Sequence, residues 1–178
     1  MQEPDPPLRF GIVEPGVYRS NALAPPNFAF IESLSLRTVV YLSPDLPSAA
    51  VQALYTRAGV DVHSVGLAVW SPKKSWQPVS DELVKEALEI VLDARRHPVL
   101  VVCSSGAHQT GAVVGCLRRL QQWNLVAILA EYRRFAGDKR RFRNEQFVEL
   151  FDVDLLTLPE ALPSWFPREE QVFDDGGE

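Results

Sequence analysis

The clearest chemical potential in this chain lies in Val99-Leu100-Val101-Val102-Cys103-Ser104-Ser105-Gly106-Ala107-His108-Gln109-Thr110-Gly111. An apolar run ends on a thiol, a short polar loop follows, and helix-forming sequence begins near Gln109. In parallel α/β sheets, ligands collect beyond the carboxyl ends of the strands. A loop that feeds a helix N-terminus also aims several backbone N–H groups at one point, where the dipole favours an anion. Gly106 supplies the positive φ such a turn requires, and Thr110 is expected to turn its hydroxyl toward the Cys103 sulfur. Ser104, Ser105, Gly106, Ala107, His108 and Gln109 then form a cradle for a tetrahedral oxyanion.

The elements that must hold this loop alternate in type. Strands are expected at residues 10–13 and 17–19 around the Pro15-Gly16 turn, and a helix from Pro25-Pro26 to Leu34. Residues 38–42 form a β-branched run without alternation, as in a strand covered on both faces. A helix over 45–59 stops at Gly59, and another strand covers 60–65. Residues 68–79, with two Trp, two Pro and Lys73-Lys74, are expected to form a loop. Ser80 then caps a helix reaching Arg96, with Asp81 and Glu82 in its first turn. The most apolar strand, 99–102, is placed at the centre of the sheet, and helices follow over 109–122 and 125–136. The pattern implies an α/β layer sandwich with a mainly parallel sheet.

Composition bounds the answer. The 178 residues carry 18 basic and 23 acidic side chains, for a formal charge of −5, with 46% apolar and 23% charged residues. This suits one domain and excludes wholesale disorder. No apolar run approaches the ~18 residues that span a bilayer, and the acidic, Pro-rich start is not expected to act as a signal peptide. Residues 1–7 are expected to be a disordered leader, 8–167 a single domain, and 168–178 an acidic flexible tail. Cys103 and Cys116 suffice for neither a disulfide scaffold nor a four-ligand metal site, so a cytoplasmic setting is expected, with no metal and no cofactor. Residues 118–143 hold eight basic side chains against two acidic ones, so that segment carries +6 and the remainder −11. Such an asymmetry suits a compact anion better than nucleic acid or membrane, although a solvated helical face explains any one of these residues equally well.

The Cys103 segment resembles the Cys-x5-Arg loop of cysteine phosphatases, and the chain around it resembles the plant and fungal atypical dual-specificity phosphatases. Pro7-Leu8-Arg9-Phe10-Gly11-Ile12-Val13 through Val17-Tyr18-Arg19-Ser20 is similar to that family's opening. Gly115-Cys116-Leu117-Arg118-Arg119-Leu120-Gln121-Gln122-Trp123 and Glu131-Tyr132-Arg133-Arg134-Phe135 resemble its later helices, and Gln146-Phe147-Val148-Glu149-Leu150-Phe151-Asp152 its closing segment. The resemblance covers roughly residues 7–158 and implies the three-layer cysteine-phosphatase fold, with a central, mainly parallel sheet of four to five strands flanked by helices.

It also implies a chemistry, and the sequence departs from it. Active relatives attack phosphorus with the cysteine, form a thiophosphate intermediate and clamp two phosphate oxygens with an arginine six residues later. Here that residue is Gln109. The histidine usual before the cysteine is Val102, and lysines common in the loop are replaced by Ser104, Ser105 and Ala107. His108 matches the family's histidine before the arginine, and Asp81 stands where the general acid is expected, although a first-turn acid that stabilises its helix is the simpler role. Lys73 and Lys74 are candidate contacts to a polyanion, since relatives include inositol pyrophosphate hydrolases.

The expectation is a pseudophosphatase with a vestigial Cys103 nucleophile, binding a phosphorylated small molecule or phosphoprotein, or forming homo- or hetero-oligomers with paralogous phosphatase-like proteins. Its candidate contact surfaces are the basic segment and Trp70, Trp76 and Trp165. The alternative is an active enzyme that hydrolyses inositol pyrophosphates or phosphotyrosine through a Cys103 thiophosphate.

Overall fold

The computed structural model describes residues 4–71 and 79–167. Five strands form one sheet in the order β1-β2-β5-β3-β4. They are β1 (Gly11–Glu14), β2 (Val17–Asn21), β3 (Thr38–Tyr41), β4 (Asp61–His63) and β5 (Val99–Cys103). β1 pairs antiparallel to β2 across the Pro15-Gly16 turn, and the other pairings are parallel. β5 is therefore the middle strand, as its unbroken apolar run requires. Every one of its residues is buried.

Side chains of β5 alternate between two cores, as the two-residue period of a strand dictates. Leu100 and Val102 pack with Val39, Tyr41, Val51, Leu54 and Tyr55, under α1 (Phe28–Ser33) and α2 (Ala49–Ala58). Val99, Val101 and Cys103 join the larger cluster on the other face. There they meet α4 (Asp81–Val91), α5 (Gln109–Leu120), α6 (Leu125–Ala136) and α7 (Phe142–Leu150). The sheet is thus the middle of three layers.

Element boundaries follow local chemistry. α2 begins at Ala49 rather than at 45 because Ser48 Oγ accepts from Val51 N. α4 is capped by Ser80 as expected, but it ends at Val91. Beyond it, Asp93 accepts from Arg95 N and turns the chain through a 3-10 turn, Ala94–Arg96. The strand expected over 60–65 stops at His63, and α3 (Val65–Ala68) follows. α7 has no counterpart among the expected elements because its buried face includes Asn144 and Glu145 beside Val148, which leaves no apolar stripe to read. Of the expected leader, residues 4–7 are described: Pro7 is buried, and the Asp5 carbonyl accepts from Asn27 Nδ2 at 3.2 Å. The expected tail, 168–178, lies outside the described residues. No helix among the described residues is long and apolar enough to cross a membrane.

One packing contact links α3 to the loop after β5. A Cβ on Gly66 would stand 2.2 Å from Leu42 O and 2.3 Å from Ser43 O. Ser43 Oγ in turn accepts from Ser104 N at 2.8 Å. Gly66→Ala must push α3 off the end of β3, and is expected to cost about 3 kcal/mol. Urea denaturation checks this, and a loss below about 1 kcal/mol would contradict so close an approach.

Candidate active site

Cys103 closes β5, fully buried, with its sulfur 3.9 Å from Ser105 Oγ. The parallel register places Asn21 of β2 beside it. The chain then has to turn back over the end of β2, and Gly106 does so at φ 66°. A Cβ there would lie 2.7 Å from Asn21 N, so both the backbone angle and the space demand glycine.

Three loop amides have acceptors within the protein. Ser104 N donates to Ser43 Oγ, Gly106 N to Cys103 O at 3.2 Å, and Ala107 N to Ser105 Oγ at 3.1 Å. The amides of Ser105, His108 and Gln109 have none among the described residues, and they lie where the loop runs into α5. Amides left open at the start of a helix are donors of the kind that suit an anion.

Two arginines outside the loop hold its carbonyls. Arg9, at φ 54°, donates from Nε to Phe135 O at 2.8 Å and from Nη1 to Ser105 O at 3.2 Å. Arg19 points from β2 into the layer between the sheet and α5–α6. Its Nη2 donates to Gly106 O at 3.2 Å, and its guanidinium carbon lies 3.9 Å over the Phe135 ring. It is only 1% exposed, and Nε and Nη1 have no hydrogen-bond partner among the described residues. Burial pushes its pKa down to about 10, against the opposing pull of Glu131 and Cys103. Neither arginine was among the expected site residues. The available signal was strand parity, since Arg19 shares the inward face of Val17.

The expected residues sort unevenly. Gln109 does stand at the first turn of α5, 7% exposed, with no side-chain hydrogen bond among the described residues. Thr110 does not bond the sulfur: its hydroxyl is buried and unpartnered inside that first turn, and Ser105 is the hydroxyl beside Cys103. His108 Nδ1 lies 3.4 Å from Asn144 Nδ2, and the same amide donates to Tyr132 OH at 3.1 Å. Burial, then Arg141, Lys139 and Arg9, lower the His108 pKa, so it faces the loop as a neutral ring at neutral pH. Asp81 is exposed on the first turn of α4, and its charge is felt at Cys116. Burial pushes the Cys116 thiol far up, which leaves it inert. Both cysteines are free. Lys73, Lys74 and Trp76 lie outside the described residues.

The basic segment is not one surface. Arg118 is buried, paired with Glu14 at 2.5 Å and Glu131 at 2.9 Å and stacked on Trp123. Arg133 grips Glu145 with two bonds, at 2.8 and 2.6 Å, and Arg119 donates to the Val148 and Glu149 carbonyls. Trp165 is half-buried: its Nε1 donates to Pro15 O at 3.2 Å, and its ring stacks on His97. Trp70 is exposed, as expected.

A pH dependence follows from His108. Its folded pKa lies below the ordinary 6.5, so the unfolded chain takes up the proton first. Stability is therefore fully present above 6.5 and falls as the pH drops toward the folded value. His108→Asn is expected to flatten the stability curve between pH about 6.5 and 5, measured by urea denaturation at each pH. Parallel curves for the two proteins would contradict the neutral assignment.

Comparison with known proteins agrees with the geometry. Residues 5–167 match the model of the "Tyrosine phosphatase family". The chain is 45% identical over 160 residues to "Probable tyrosine-protein phosphatase DG1060" of Dictyostelium discoideum, covering 90% of this chain and 95% of that protein. It is 39% identical over 151 residues to "Inositol diphosphatase DSP4" of Arabidopsis thaliana, covering 85% of this chain and 75% of that one. Among solved structures, the core catalytic domain of the PP-IP phosphatase SIW14 from S. cerevisiae, in complex with citrate, superposes with a TM-score of 0.78 at 36% identity, over 85% of this chain and 90% of that one. With the match running over nearly all of the described residues, the chain belongs to the tyrosine phosphatase family, within the atypical dual-specificity branch that contains the plant inositol diphosphatases.

Proposed function

We propose that this chain is a pseudophosphatase: it binds a phosphorylated ligand, or a paralogous phosphatase-like partner, through a fold whose active-site loop no longer turns substrate over. The observation that carries this reading is Gln109. It holds the position of the clamp at the mouth of α5, nearly buried and uncharged. An arginine fork gives phosphate two charge-assisted bonds, each worth about 1.5–3 kcal/mol. Glutamine offers a neutral amide on a shorter stem. Losing ~4 kcal/mol of transition-state stabilisation lowers the rate about a thousandfold.

Three further features support the reading. Val102 is sealed into the apolar cluster under α1 and α2, so no imidazole precedes the nucleophile. Ser105 Oγ already accepts from Ala107 N beside the sulfur. Asp81, the candidate general acid, lies on an exposed helix start whose charge registers at Cys116. The amides of Ser105, His108 and Gln109 still suit a ground-state anion. We place the protein in the cytoplasm, where thiols such as Cys103 and Cys116 stay reduced.

A second reading, an active phosphatase acting through a Cys103 thiophosphate, is favoured by the activity named for the Arabidopsis relative, with Arg9 and Arg19 beside the loop in place of the clamp. Turnover of an aryl phosphate and of an inositol pyrophosphate separates the two. The proposal expects rates about a thousandfold below those of relatives that keep the arginine, and no further loss in Cys103→Ser. Gln109→Arg is expected to raise kcat/KM at least about tenfold, incompletely while Val102 remains. Wild-type turnover at the level of active relatives, abolished by Cys103→Ser, would establish the second reading.

A further inference from the structure

Arg19 is out of place in a core. It is almost wholly buried, and two of its nitrogens carry no hydrogen bond to the described residues. The acid that most supports its charge is Glu131, yet both Glu131 oxygens are already engaged by Arg118, at 2.9 and 3.0 Å. A buried guanidinium without its own carboxylate is expensive to maintain. It nevertheless makes one directed bond, to Gly106 O.

That bond has a consequence across the peptide plane. In a trans peptide the C=O and the next N–H point in opposite directions. A donor on Gly106 O therefore sets the direction of the Ala107 N–H. This N–H meets Ser105 Oγ at 3.1 Å, and that oxygen stands 3.9 Å from the Cys103 sulfur. One peptide earlier, Arg9 holds Ser105 O in the same way.

We propose that Arg19 is the positioning residue of this loop: from behind, it turns the Ala107 amide toward Cys103 and supplies the fixed positive charge that Gln109 does not. An oxyanion entering the loop takes the Ala107 N–H from Ser105 Oγ and becomes the counter-ion the buried guanidinium lacks. This consequence rests on the reading of the loop as an anion site, whereas the orientation of the peptide does not.

The test uses the full chain, labelled with 15N, with and without inorganic phosphate at constant ionic strength. Without phosphate, Arg19→Met is expected to speed Ala107 amide exchange at least about tenfold while Val101, in the middle of β5, stays within about threefold of wild type. Arg19→Lys, which keeps a charged donor, is expected to hold Ala107 within about threefold. With phosphate, the Ala107 and Gln109 resonances of wild type are expected to shift saturably, with an affinity at least about tenfold weaker in Arg19→Met. Wild-type exchange at Ala107 in Arg19→Met, or lysine behaving like methionine, overturns the proposal. A wild type blind to phosphate, with Ala107 exchange still dependent on Arg19, defeats the anion reading and leaves the positioning role standing. Should Arg19→Met fail to fold, Arg19→Gln, too short to reach Gly106 O, is expected to speed Ala107 exchange by the same factor, and wild-type exchange in that variant overturns the proposal equally.

Discussion

Gly106 sits at φ 66° with the backbone of Asn21 where its side chain would otherwise be, and the shape of the loop follows from that contact. The parallel pairing of β2 with β5 puts Asn21 level with Cys103, so a chain leaving β5 toward α5 has to cross the end of β2 within a few residues. Only a left-handed step makes the turn without steric conflict. That step sends two successive carbonyls outward, to Arg9 and Arg19, and leaves the Ala107 N–H on Ser105 Oγ, beside the thiol. α3, through Gly66 and Ser43, fixes the first residue of the loop from the opposite flank. A strand register, one glycine and three outer contacts thus determine a cradle whose own side chains are all uncharged at neutral pH.

The energetics of such a cradle differ from those of a catalytic one. Backbone amides grip a phosphoryl group in its ground state much as they grip the transition state, and such uniform binding does not speed the chemical step. A guanidinium fork set beside the transferring group, and a proton donor on the leaving oxygen, act where charge develops. Gln109 in place of the fork and Asp81 in solvent remove, in the proposed reading, the differential part and keep the uniform part. In the proposed reading, recognition and turnover come apart here because they are carried by different atoms, main chain for one and side chain for the other.

Much of this was legible in the sequence, because strong local signals carry it. The apolar run of β5, the Ser80 cap and the positive φ of Gly106 each follow from near neighbours in the chain, and the structure places all three as expected. The failures share another cause. α7 was missed because its buried residues include Asn144 and Glu145, whose burial depends on His108, Tyr132 and Arg133 far along the chain. The basic segment suggested one patch because sequence counts charge without partners, whereas Glu14, Glu131 and Glu145 are brought in by packing. Thr110 was aimed at the sulfur on spacing alone, while helix geometry turns it into the core. Arg19 was visible as part of a strand, but nothing local shows that its inward face meets Gly106.

The cations around the loop thus lie outside it and behind it. Arg141, Lys139 and Arg9 are close enough to depress the His108 pKa, so positive potential gathers at the mouth although no loop residue carries it. Lys139 and Arg141 are exposed, and at physiological salt the field of exposed charges decays over about 8 Å. In the proposed reading they steer an approaching anion, an effect that weakens as salt rises. Arg19 lies behind the loop in the dry layer under Phe135, where screening ions do not reach. Its charge is the part of the field that salt leaves intact, and it acts along the peptide that ends at Ala107 N–H. Capture and retention of an anion then fall, in the proposed reading, to different cations, one set in solvent and one in the core, a division that a single arginine at position 109 would not require.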